Sequence, residues 1–216
     1  MGFTLAHLLG SVRDRFAVLQ SVALLPAALI LCFAGCHRVI PVDTKPLDDA
    51  GMAYDPIREL TTLDITTPEV AQVAVAREAG ISDTTCIAVF TIFHERKQRF
   101  DAGDAVAGLF RAHVSEATII ELARLNGLGL PSGEFQAMRL AGLSDQTLLA
   151  VARHRAANEP VLSGASLAGL RNAGVRESTL LELARRGVPD SKGGEISYFR
   201  RHGWTDAEIL GRFTGS

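Results

Sequence analysis

AGISDTTCIA (79–88), AHVSEATIIE (112–121), AGLSDQTLLA (141–150), AGVRESTLLE (173–182) and HGWTDAEILG (202–211) are five versions of one theme. Their second residues, Gly80, His113, Gly142, Gly174 and Gly203, lie 33, 29, 32 and 29 positions apart. A period near thirty means a supersecondary unit copied in tandem. Upstream of each anchor, apolar residues fall seven and four positions before it: Val73 and Ala76, Val106 and Leu109, Phe135 and Met138, Leu167 and Leu170, Ile196 and Phe199. That spacing puts them on one face of a helix.

The anchor glycine suits the left-handed residue that ends a helix. His113 breaks that column. After one apolar residue comes a hydroxyl, Ser82, Ser115, Ser144 or Thr205, with Arg176 as the exception. A hydroxyl there caps a second helix. An acid follows in every copy, Asp83, Glu116, Asp145, Glu177 and Asp206, where it complements the helix dipole. Apolar pairs come next: Cys86–Ile87, Ile119–Ile120, Leu148–Leu149, Leu180–Leu181 and Ile209–Leu210. The expected fold is all-α: five helix–turn–helix repeats over 67–216, stacked either as a short solenoid or as a compact bundle. Glycine-bearing stretches such as DAGD (101–104) and LSGAS (162–166) read as the loops between repeats.

Upstream the composition changes. Arg13 and Arg15 precede FAVLQSVALLPAALILCFAG (16–35), which carries no charge, and then comes Cys36. Small residues before a cysteine, here Ala34-Gly35-Cys36, resemble the signal peptide of bacterial lipoproteins. The resemblance implies cleavage before Cys36, a lipid on its sulfur, and a place in the cell envelope. It also implies outer-membrane sorting in a cell with two membranes, because His37 rather than Asp follows the cysteine. About 20 apolar residues can also span a bilayer, so an uncleaved helical anchor is the alternative. Residues 36–66 contain three prolines and five aspartates and read as a lipidated cysteine on a flexible tether with at most one turn of helix near Ile57–Leu60, able to extend to ~100 Å. Residues 1–35 are then a signal peptide.

The chain has 216 residues, a net charge of −2 and 47% hydrophobic residues. No basic excess draws it to nucleic acid. Its three cysteines are Cys32 in the apolar run, Cys36, and Cys86 in a core column, so no pair remains for a disulfide. Histidines lack metal spacing, and no nucleophile elbow, phosphate loop or dinucleotide fingerprint occurs. No cofactor, metal or catalytic residue is expected, and the reading is a non-enzymatic binding or scaffold module. Its partners would be the membrane, through the lipid, and a protein or an envelope polymer.

Arginine is the surplus signal. It recurs three before the anchor, at Arg77, Arg139, Arg171 and Arg200, and eleven after it, at Arg124, Arg153 and Arg185. Rows of guanidinium suit an anionic partner; helix-surface pairing is the plainer use. Phe90 and Phe93, in VFTIFHERKQRF (89–100), mark the other candidate surface, with a packed N-terminal cap as the plainer reading; an enzyme's site would have to lie there or in the tether. In LNGLGLPSG (125–133), Gly127-Leu128-Gly129 resembles the helix-hairpin-helix loop that binds DNA phosphate through backbone N–H groups. That implies nucleic-acid binding as an alternative, although the motif occurs once and no lysine follows it.

Overall fold

A left-handed residue ends each first helix and a fresh N-cap starts the next, and this rule recurs through the described residues. The computed structural model describes residues 42–129 and 133–213. Among them are twelve α-helices and no strand. They form hairpins: α1 Lys45–Asp49 with α2 Tyr54–Thr62, α3 Thr67–Glu78 with α4 Asp83–Glu95, α5 Gly103–Arg111 with α6 Glu116–Arg124, α7 Gly133–Leu140 with α8 Asp145–Ala156, α9 Gly164–Asn172 with α10 Glu177–Arg185, and α11 Gly193–Arg201 with α12 Asp206–Arg212. The proposed signal segment 1–35 and Cys36 lie outside the described residues.

There are six hairpins where the periodicity predicts five. The tether reading is corrected from Lys45 onward: this segment is folded, and its Leu47 and Leu60 are fully buried. Gly51 and Met52 are its anchor and apolar residue, 29 positions before Gly80. Two of its prolines misled because they also suit helix starts. Pro46 sits in the first turn of α1, and Pro56 is the third residue of α2.

At the anchors φ is +76° at Gly51, +100° at Gly80, +81° at Gly142, +88° at Gly174 and +83° at Gly203. His113 adopts +65° and so keeps the same turn, against a steric penalty of about 1–2 kcal/mol for a side chain there. The following N–H reaches back to the helix, as in Val114 N to the Leu109 carbonyl at 3.0 Å and Leu143 N to that of Met138 at 3.1 Å. A second left-handed column, Asp64, Lys97, Asn126, Asn158 and Gly187, ends the second helices.

The odd-numbered helices pack in sequence as one row and the even-numbered ones as another, each against its counterpart in the next hairpin. The core lies between the rows. Val73, Met138, Leu167 and Ile196 enter it from the first row, and Ile119, Leu148, Leu180 and Ile209 from the second. A lone hairpin could not bury such a face, so stability is shared between neighbours. Gly103 and Gly164 were expected in loops but open α5 and α9. A Cβ on Gly103 would run into the Gln72 carbonyl, and one on Gly164 into the Glu134 side chain. Glycine here lets first-row helices approach closely.

Candidate functional site

From α4 onward, the acid at the start of each second-row helix reaches backwards to the preceding hairpin. Glu116 accepts hydrogen bonds from the Ser82 hydroxyl and the Thr85 hydroxyl. Asp145 accepts from Ser115 N at 3.0 Å. Glu177 accepts from Ser144 N at 3.3 Å, the Ser144 hydroxyl at 2.5 Å and the Thr147 hydroxyl at 2.6 Å. Asp206 accepts from Arg176 N at 3.3 Å and from the Arg176 guanidinium. Arg176, the exception in the hydroxyl column, thus supplies a charged donor in place of a hydroxyl. Each serine also caps its own helix, as Ser144 does by accepting from Thr147 N at 3.3 Å.

The threonines five after the anchor, Thr85, Thr118, Thr147 and Thr179, are buried polar residues, and sequence reasoning missed them. Their signal was plain in retrospect, four threonines in one column. A buried hydroxyl needs a partner, and the acid of the next hairpin provides it.

These bonds set the ionisation of the acids. Burial pushes Glu116 up, but hydrogen bonds from Ser82 and Thr85 outweigh it and hold its carboxyl below the usual range. The same balance lowers Asp145 through Ser115 and Glu177 through Ser144 and Thr147. For Asp206 the opposing bonds come first from Arg176.

The first row carries a sparser version of the same lattice. Glu69 accepts from Phe100 N at 3.0 Å, and Asp190 from Ser163 N at 2.7 Å. Glu134 accepts from Gly164 N and pairs with Arg155 through two bonds. At the far end of the second row, cations cap the helices of the next hairpin. Arg96 donates to the Ala123 carbonyl at 2.9 Å, and Arg186 to that of Leu210 at 3.1 Å. His154 lies 3.1 Å from the Arg185 carbonyl. Anions at helix starts and cations at helix ends both oppose the helix dipoles favourably.

The arginines before the anchors belong to this lattice. Arg77 donates to the Gly51 carbonyl at 3.2 Å and pairs with Asp83 at 2.5 Å. Arg139 donates to the carbonyls of His113 at 3.0 Å and Leu143 at 2.9 Å. Arg200 donates to those of Gly174 at 2.7 Å and Trp204 at 3.2 Å. Arg171 reaches the Val175 carbonyl at 3.4 Å. Their donors are directed at the turns of the stack: Arg77, Arg139 and Arg200 staple neighbouring hairpins, and Arg171 braces the turn of its own.

Phe90 and Phe93, the other proposed contact residues, are core: 2% and 8% exposed, with both rings edge-on to Phe100 at 6.2 and 5.3 Å. That corrects their reading as a partner surface, because rings buried together have no face to offer. Gly127–Gly129 forms a 3-10 turn in which Gly127 and Leu128 are buried, while residues 130–132 of the proposed DNA loop lie outside the described residues. Cys86 is buried as its column predicts, and burial, then Asp83, pushes its thiol up to about 12. Among the described residues no three His, Cys, Asp or Glu side chains gather as a metal-ligand set.

Of the two arginine rows, the second is left largely unused by the lattice. Arg153 and Arg185 are exposed and make no hydrogen bond or ion pair through their side chains with the described residues. Arg124 is 63% exposed and has only a 3.4 Å contact with Glu121. No protein-family model matches the chain, and no curated protein does.

Proposed function

We propose that this chain is a lipid-anchored bacterial envelope protein whose helical stack serves as a binding or scaffold module. The anchor reading rests on Ala34-Gly35-Cys36 after a long uncharged stretch. The scaffold reading rests on one observation: the acids, hydroxyls and first-row arginines that the hairpins share are directed at neighbouring hairpins. Residues recurring in most copies therefore hold the array together, and a partner is met by what the lattice leaves over.

The folded part begins much nearer to Cys36 than a long tether would put it. Only residues 37–44 separate the cysteine from α1, which is about 30 Å even at full extension. Among the described residues no helix is long and apolar enough to cross a membrane, and a chain carrying two or more acyl groups needs none. The test is Cys36→Ala in the full chain, followed by fatty-acid labelling and membrane fractionation. Loss of label and release from the membrane fraction are expected. Label and fractionation unchanged from the parent would overturn the anchor.

A further inference from the structure

The two arginine rows share a residue type but not a fate. The row before the anchors is consumed by turn carbonyls, whereas the row eleven after the anchors is not. Arg124, Arg153 and Arg185 occupy one repeat position on α6, α8 and α10, and those helices pack side by side. Neighbouring helix axes lie about 8–10 Å apart, so the three guanidinium groups form a row with roughly that pitch. Nothing inside the fold needs Arg153 or Arg185.

One turn before these arginines, on the same helix faces, lie Ile120, Leu149 and Leu181. Each is only partly buried, unlike its fully buried neighbour Ile119, Leu148 or Leu180. The outer face of the second row is thus an aliphatic stripe bordered by arginine. Its acids in the same three hairpins, Glu121 and Glu182, face Arg124 and Arg186 at 3.4 and 2.8 Å.

The arginines sit at a particular edge. Arg155 at the end of α8 pairs with Glu134 at the start of α7. Arg212 at the end of α12 lies 3.8 Å from Glu195 at the start of α11. Hence the starts of first-row helices and the ends of second-row helices share one edge of the stack. Lys45 opens α1, so the chain arriving from Cys36 enters the fold at the edge that carries Arg124, Arg153 and Arg185.

We infer that this arginine-bordered face docks on the anionic phospholipid surface to which the chain is tethered. The inference rests on the lipid-anchor reading of Cys36. Two features favour lipid over an acidic protein: only eight residues separate Cys36 from α1, and α1 starts at the edge that carries Arg124, Arg153 and Arg185. Aliphatic side chains beside arginine suit the boundary between headgroups and acyl chains. Each basic group near such a surface contributes about fivefold to binding, so three contribute on the order of a hundredfold.

The test uses the full chain, processed in a bacterial host and reconstituted with vesicles of phosphatidylcholine alone or of equal parts phosphatidylcholine and phosphatidylglycerol. Flotation reports anchoring, and phenylglyoxal labelling mapped by mass spectrometry reports each arginine. The chain should float with both vesicle types. Labelling of Arg124, Arg153 and Arg185 should fall several-fold on the anionic vesicles, while Arg111 and Arg201 at the opposite edge label equally on both. In the Arg153→Glu, Arg185→Glu double variant, whose substitutions leave the core untouched, protection of Arg124 should be lost. Flotation with both vesicles but equal labelling overturns the docking and leaves the anchor standing; flotation with neither overturns both. Protection found in native envelope membranes and absent on vesicles also overturns it, in favour of an acidic protein partner.

Discussion

The junction between the first and second hairpins and the junction between the fourth and fifth have the same backbone plan and different polar chemistry. At the first junction Asp83 reaches back and finds only the Ala53 N–H, at 3.1 Å. At the other, Glu177 finds an N–H and two hydroxyls, from Ser144 and Thr147. Yet Leu60 and Leu148 are equally buried, and Gly51 and Gly142 make the same left-handed turn. Hairpins therefore stack by apolar columns and turn geometry, and the hydroxyl–acid lattice locks a stack that already exists.

The largest test of that comparison is the core. Leu60→Ala and Leu148→Ala should each destabilise by about 2–5 kcal/mol in chemical denaturation. A loss confined to Leu148→Ala would mean that the first hairpin is a loosely attached end. Next comes the acid. Glu177→Ala leaves Ser144 and Thr147 without their acceptor and should lose about 1–3 kcal/mol. Asp83→Ala strands one backbone N–H and releases Arg77, and a smaller loss is expected. Equal losses would break the distinction between the junctions.

Acid sharpens it further. Glu116, Asp145, Glu177 and Asp206 have folded pKa values below their ordinary 4.5 or 3.8. The unfolded chain therefore binds more protons than the folded one as pH falls. The stabilisation is complete above about pH 5 and is lost as pH drops through the depressed values. Urea titrations at neutral pH and near pH 3 should show this fall, and Glu177→Ala should shrink it; a variant with the same pH dependence as the parent would remove Glu177 from the account.

Smaller effects should run the other way. His113→Gly relieves a side chain at φ +65° and should stabilise by about 1 kcal/mol, visible as a raised melting temperature. Ala53→Ser adds the missing cap at the weak junction and should stabilise by about 0.5–1 kcal/mol. No gain there would show that the hydroxyl matters only together with a threonine like Thr147.

Much of this was legible in the residues. Columns of apolar side chains at helical spacing, glycine at one helix end and serine at the next helix start are local signals, and each names its own conformation. The first hairpin escaped because it has Ala53 and Tyr54 where the other copies have an acid preceded, in all but one, by a hydroxyl, although Gly51-Met52 kept the spacing. The free arginine row was visible as a column but could not be separated from the stapled row. Both are arginines at fixed offsets, and only their neighbours in space distinguish them.

From the sequence alone follow the repeat, the all-α class, the left-handed turns and the burial of Cys86, because each depends on contacts within one hairpin or on periodicity. The tertiary structure decided what the polar residues are for. Glu177 reads as a first-turn acid in its own helix, yet its partners are Ser144 and Thr147, about thirty positions away. Arg139 reads as a surface cation, yet it bridges two turns. A carboxylate or guanidinium is satisfied by whatever donors or acceptors lie within about 3 Å. Which groups those are is set by how the hairpins stack, so the division of arginines into staples and free cations emerged only with the stack.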